Sequence, residues 1–479
     1  MAHTSRSALL FLALSVYCLL VLPRMLSHGM FLDGVAHASI ARNLAESYGS
    51  FWRPYYTATV YPIFYEQPPL GFWLQSWAYR LCGEAAYIEA LWGFFVGVLI
   101  LVGLGGIWRR LRPQGTAVAG TWFPIVLFVI MPMTSWAFSN NMLENTMSLF
   151  IVIAVYFCIV SLQHPNVFSS LLYGILFGVG IFCAFLVKGP VALFPMAVPL
   201  MFMISEDKKL LRVVMTTFIL VTTLALAFGL MFSLSTASAH FFKHYWHQQV
   251  LASVTGERET AGSHFIILKV VSRENLVPLL AAGMLTAAMY RLRQSTITTI
   301  HYRFFLYYLG IALAGSLPIL ISAKQKRWYA FPSLPFYSLA IAMVFNDVAF
   351  ALERFIGEDK RRPKYITLFS SMILCIAVFL MFLEKDTLRR DKDFHHDFSE
   401  PSLIIAERSI ISVFPHSLAT NWSLMANIQR KFKASLSETI GHDYLLTTLE
   451  YAHSEHIPSK YKRVPPFYTK KYALFRLDD

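Results

Sequence analysis

The stretch Met30–Leu74, MFLDGVAHASIARNLAESYGSFWRPYYTATVYPIFYEQPPLGFWL, decides how the rest of the chain is read. It follows directly on an apolar segment and carries one acidic residue, Asp33, at the point of exit. Ala36, Ile40 and Leu44 then recur at helical spacing, which predicts an amphipathic helix. An aromatic run follows (Phe51, Trp52, Tyr55, Tyr56, Tyr61, Phe64, Tyr65) and ends in Glu66-Gln67-Pro68-Pro69. Proline fixes φ and removes a backbone donor, so the proline pair predicts a rigid corner just beyond Glu66. Two carboxylates held at a membrane surface by a stiff aromatic loop have the makings of a reaction site. The remaining chain reads as its scaffold.

Of the 479 residues, 56% are hydrophobic and only 14% charged. Soluble domains carry nearer about 25% charge, so the composition is that of a polytopic membrane protein. A span needs about 20 apolar residues. Eleven segments qualify: 8–27, 86–108, 116–137, 142–163, 168–187, 189–204, 212–234, 275–290, 303–321, 331–351 and 365–383. The weakest are 189–204 and 275–290, both short. The first span of the chain, 8–27, is long and lacks a well-placed small-residue cleavage site, which predicts a retained helix and not a signal peptide.

Residues 1–383 carry 27 Lys/Arg against 15 Asp/Glu, and residues 384–479 carry 14 against 13. The basic excess therefore sits with the spans, where it fixes topology, and nucleic-acid binding is excluded as its purpose. With the N-terminus inside, basic residues fall on inner loops: Arg6, Arg109-Arg110, Lys208-Lys209, Arg291 with Arg293, and Lys360-Arg361-Arg362. Segments 28–85, 235–274, the Ser322–Arg327 turn and everything after Leu383 then lie outside. Four of the five cysteines fall inside spans, which argues against a disulfide framework or thiolate metal site. The balanced polar tail, 384–479, reads as a small α/β domain with elements at Ile410–Phe414, Met425–Phe432, Tyr444–Tyr451 and Tyr472–Leu477.

Six constellations can carry chemistry, each with a plain structural alternative. Asp33, with His37 one turn on, is either a base or a helix N-cap. Glu66 with Gln67 is either a reacting pair or an exposed turn. Glu144 and Lys188 stand at outer membrane boundaries, where ionisable groups are expensive and usually functional or paired. Either one could be plain structure, Lys188 snorkelling and Glu144 serving as a helix-end charge. The outer loop Phe241–His264 offers His247 and Arg258 as substrate ligands. His247 and Glu66 could share a divalent metal, but neither shows the paired spacing of a metal site, so no cofactor is firmly implied. Lys324, Arg327 and Tyr329 lie in Ser322–Tyr329, an outer basic cluster that defies the positive-inside rule. Such cations fit an anionic phosphate, to which they supply charge-assisted donors.

Taken in order over roughly residues 10–350, these pieces resemble the C-type (GT-C) multi-spanning glycosyltransferases. They are similar to the lipid A aminoarabinose transferases and protein O-mannosyltransferases. The resemblance rests on the Asp after the first span, IARNL, YEQPPLGFW, FLVKGP and KQKRWYAFPSLP. It implies a GT-C helical bundle of about 11 spans with outer-face amphipathic helices, residues 1–383, and the small α/β domain beyond it. It implies Asp33 as catalytic carboxylate, Glu66 in a closing loop, and Lys324, Arg327 and Tyr329 on a donor phosphate. Two departures stand out: Gly34 where the family has Glu, and Gln67 where it often has Lys.

A polyprenyl-phosphate sugar already has a good leaving group, so its transfer needs one carboxylate base and cations for the departing phosphate. The expected function is an inverting transfer from that donor to a lipid A, glycan or protein acceptor on the periplasmic face of a bacterial inner membrane. The rival classes are a transporter or lipid flippase, for which ionisable residues would gather at the midplane of inverted repeats, and a membrane scaffold. Eleven spans place Asp479 outside: a C-terminal alkaline phosphatase fusion should be active, and an inactive one would mean a span miscounted by one.

Overall fold

The computed structural model describes every residue except 1, 86, 114–117, 206–209, 256–264, 293, 295–300, 400–404, 456, 466–467 and 479. Seven helical segments are long and apolar enough to cross a bilayer: Thr4–Arg24, Ile88–Arg110, Leu143–Gln163, Val167–Ile204, Leu210–Leu234, Tyr302–Ile321 and Arg361–Leu383. The chain is an integral membrane protein, mainly helical. A bent pair raises the possible spans to eight among the described residues. Of the remaining expected spans, 189–204 continues 168–187 within Val167–Ile204, while 275–290 and 331–351 fall at Ile266–Arg291 and Leu334–Val344, outside the seven on length or polarity.

Three departures from straight spans have local causes. The expected span at 116–137 is two helices, Trp122–Val129 and Pro132–Ser139, bent by 74°. Pro132 has no N–H to donate to the Phe128 carbonyl four residues back. The Thr134 hydroxyl donates to that carbonyl instead, at 2.8 Å. The expected break at Lys188-Gly189-Pro190 is a change of helix type: α-helical Val167–Lys188 passes into a nine-residue 3-10 segment, Gly189–Ala197, then eight α-helical residues, Val198–Ser205. Because a 3-10 helix rises about 2.0 Å per residue against about 1.5 Å for α, this short segment still reaches about 30 Å. Gly189 holds φ +76°, and a Cβ there would lie 2.0 Å from the Tyr245 hydroxyl. The segment expected at 331–351 divides into Leu334–Val344 and the amphipathic Asn346–Glu358.

The loop after the first span forms the helix Leu32–Ala45, as its spacing predicts. The antiparallel ladder Gly49–Ser50/Arg53–Pro54 follows, then the helix Leu70–Cys82. Pro69 caps that last helix, so the proline corner sits where the sequence places it.

The C-terminal residues form a five-stranded mixed sheet in the order Ser435–Ser437, Ile410–Phe414, Tyr444–Thr448, Tyr472–Leu477, Tyr461–Arg463. The first two pairings are parallel and the last two antiparallel. The helix Trp422–Phe432 packs on Leu32–Ala45. Arg42, 1% exposed, donates to the Arg430 carbonyl at 2.9 Å and to the Gln429 carbonyl at 3.0 Å. Arg430 in turn reaches Glu89 at 2.6 Å and Glu84 at 2.9 Å, while Lys433 reaches Glu46 at 2.9 Å. Thr59 donates to the Leu436 carbonyl at 2.6 Å. The α/β unit is therefore keyed to the loop bearing Asp33, not hung beside it. Removing one partner of a buried ion pair strands the other charge. Arg430→Met should cost about 3 kcal/mol in unfolding of the detergent-purified chain, and adding Glu89→Gln should recover part of it. An unchanged transition would contradict the docking.

Candidate active site after the first span

Asp33 is the second residue of Leu32–Ala45, and the N-cap is Phe31. The capping alternative for Asp33 therefore falls away. The Phe31 N–H donates to the Asn140 side-chain oxygen at 2.7 Å, and the neighbouring Asn141 amide donates to the Gly34 carbonyl at 3.0 Å. A Cβ on Gly34 would lie 2.0 Å from the Asn140 carbonyl oxygen. Glycine at 34 is thus the condition for the helix start to seat against Asn140-Asn141, which accounts for the departure from Asp-Glu. Asn141 also exchanges amide hydrogen bonds with Gln75 (3.0 and 3.3 Å), tying the site to Leu70–Cys82.

Lys188 Nζ lies 2.7 Å from Glu144 Oε1, both side chains almost fully buried. The same ammonium stands 5.7 Å from the ring centre of Tyr329. Around Asp33 these groups form one electrostatic field. Burial pushes the Asp33 carboxyl from the usual 3.8 up to about 6; Lys188 and Lys324 oppose the shift, and Glu144 and Glu66 add to it. Burial holds His37 neutral, down to about 3, with Lys188 pushing the same way and its hydrogen bond to the Asn141 carbonyl opposing. His37 therefore serves as a neutral polar group.

The structure thus gathers Asp33, His37, Glu66, Glu144, Lys188, Lys324 and Tyr329 into one neighbourhood. Gln67 is half-buried beside Glu66, and Arg327 is exposed at the start of the 3-10 turn Arg327–Ser333. That turn docks on the helix start through Trp328, whose ring lies 4.9 Å from Phe31. His247 is exposed on the π-helical turn Trp246–Leu251, and Arg258 lies outside the described residues. Among the described residues no three His, Cys, Asp or Glu side chains group to hold a metal.

Sequence reasoning missed several members. Tyr61 donates to Glu66 at 3.1 Å. Tyr56 is fully buried, with a hydroxyl that has no hydrogen-bond partner among the described residues; burial raises its pKa, as do Tyr61, Asp33 and Glu66. The Thr236–Tyr245 helix braces the loop, with the His244 ring tilted against Tyr65 at 4.8 Å. In a run of seven aromatics nothing local marks which rings face the carboxylates.

The profile of the family described as dolichyl-phosphate-mannose-protein mannosyltransferase matches residues 66–233. Over 205 residues the chain is 27% identical to undecaprenyl phosphate-alpha-4-amino-4-deoxy-L-arabinose arabinosyl transferase 1 of Proteus mirabilis (strain HI4320). That match takes in 41% of this chain and 35% of the relative's length. The crystal structure of ArnT from Cupriavidus metallidurans bound to undecaprenyl phosphate superposes with a TM-score of 0.68, at 16% identity, covering 97% of each chain. The chain has the C-type glycosyltransferase fold. The apo form of that ArnT shares this C-type fold, with a TM-score of 0.62 at 15% identity and 97% coverage of both chains. The GT-C resemblance read from the sequence is thereby borne out.

A carboxyl whose folded pKa lies above its unfolded value binds protons more tightly when folded. Its stabilising proton is lost as pH rises from about 4 through about 6, and ionised Asp33 then costs about 3 kcal/mol. Asp33→Asn should therefore match wild type in thermal stability near pH 4 and exceed it above pH 6. A less stable Asp33→Asn at pH 8 would contradict the burial of this charge.

Proposed function

We propose that the protein is a membrane glycosyltransferase that moves a sugar, with inversion, from a polyprenyl-phosphate donor to an acceptor hydroxyl. The reaction is placed at the outer face of a bacterial inner membrane. Asp33 takes the hydroxyl proton as the oxygen bonds to the anomeric carbon, and the bond from that carbon to the phosphate oxygen breaks. Lys324 and Arg327 balance the charge of the departing phosphate. Glu66, on the loop held by Tyr61 and Pro68-Pro69, lines the acceptor side.

The observation that carries this reading is the Asp33 carboxyl at about 6, half-buried between two lysines and two other carboxylates. A general base works best with a pKa near the operating pH, and burial brings Asp33 there. The crystallised ArnT of the same fold was bound to undecaprenyl phosphate, which supports a polyprenyl-phosphate donor here.

The test is release of polyprenyl phosphate from a labelled lipid-linked sugar by the purified chain. Asp33→Asn should lower kcat roughly a hundredfold or more, and wild-type kcat should fall as pH drops through about 6. Arg327→Gln should raise the donor KM instead. A transporter or flippase would release none, and a fully active Asp33→Asn would leave Glu66 as the next candidate base.

A further inference from the structure

A cavity of about 210 Å³ opens where the first and last spans leave the membrane, lined by Arg24, Arg389, Arg390, Trp136 and Ser139. The two exits are stapled together there. The His28 N–H donates to the Thr387 carbonyl at 2.9 Å, and the Arg389 N–H to the His28 carbonyl at 3.0 Å. This brings Arg24, at the end of its 3-10 turn, close enough to Arg389 for the two charges to repel. Glu384 pairs with Arg389 at 3.0 Å, and Asp386 faces His28 at 3.3 Å. Among the described residues Arg24 and Arg390 have no carboxylate at ion-pair distance. Arg390 lies over the Phe31 ring, 5.1 Å from its centre.

Three guanidiniums line the cavity, and one paired carboxylate, Glu384, acts on both Arg24 and Arg389, which leaves an excess of positive charge. Like charges held together cost free energy unless an anion joins them. A second observation points the same way. Ser139 is 8% exposed, lines the cavity, and its hydroxyl has no hydrogen-bond partner among the described residues. Forked guanidinium donors match the oxygens of a phosphate monoester. Trp136 stacks on Trp328 at 5.8 Å, so an aromatic wall separates this cavity from the Lys324–Arg327 turn.

We propose that this cavity is a second anion site that takes a phosphate monoester, free or as a lipid headgroup, independently of the donor site. It lies beside Gly29 and Met30, directly before the helix bearing Asp33, so its occupant would sit against the root of that helix.

The test is native mass spectrometry of the detergent-purified full chain, titrated with dioctanoyl phosphatidic acid, dioctanoyl phosphatidylcholine and inorganic phosphate. Phosphatidic acid should bind roughly tenfold or more tightly than phosphatidylcholine, and Arg389→Gln/Arg390→Gln should remove that preference. Both arginines are exposed, which leaves the fold intact, and Arg390→Gln alone should weaken binding in the same direction. Arg327→Gln should keep the preference. Competition by inorganic phosphate would show that the phosphate alone suffices, and its failure to compete would assign the site to a lipid headgroup. Equal binding of the two lipids, an unaltered preference in the double variant, or its loss in Arg327→Gln would overturn the proposal.

Discussion

The Lys188–Glu144 pair, 2.7 Å apart and almost fully buried at the ends of two spans, is the interaction on which the site's electrostatics depend. Two charges out of water are costly singly and persist only together. Once held, Lys188 also acts on Asp33 and on His37 and stands over Tyr329. Asp33 can then be buried far enough to reach about 6 without being driven out of the useful range. Burial shifts the two titratable neighbours in opposite directions, Asp33 up and His37 down, while Lys188 lowers both, so that His37 is neutral and Asp33 ionised at neutral pH.

The helix that presents Asp33 is fixed at both ends by different means. At its start, Asn140 and Asn141 hold Phe31 and Gly34, at the price of admitting only glycine at 34. Near its end, Arg42 is buried against backbone carbonyls of Trp422–Phe432, and Asn43 donates to the Tyr55 carbonyl at 3.2 Å. IARNL is thus a structural joint. It couples the α/β unit to the aromatic loop, and so makes the tail part of the site's architecture.

Much of this was legible in the sequence because it was written in apolar length and charge sign. The long apolar runs, the amphipathic spacing of Ala36, Ile40 and Leu44, and the proline corner at Pro68-Pro69 are local signals with local consequences. The strands Ile410–Phe414 and Tyr472–Leu477 also stand where the pattern put them. The bend at Pro132 was not legible, since proline is common within membrane helices and only the loss at Phe128 shows its effect here. Nor was the pairing of Lys188 with Glu144, which depends on how helices meet across 44 residues of sequence, or the orientation of Tyr56 and Tyr61, which depends on how the loop folds back on itself. Asp33 itself was ambiguous between cap and base, and the position of Phe31 removes the capping alternative.

The most direct test of the site is an experimental structure of the full chain in a lipid nanodisc with a polyprenyl phosphate bound. The proposed mechanism places the phosphate within hydrogen-bond reach of Lys324 or Arg327, on the side of Trp328 that faces Asp33. Because Asp33 and the phosphate must flank the transferred sugar, the carboxylate should point towards the phosphate across a gap wide enough for one sugar ring. A phosphate bound with Lys324 and Arg327 both out of reach, or with Asp33 turned away from it, would contradict the assignment.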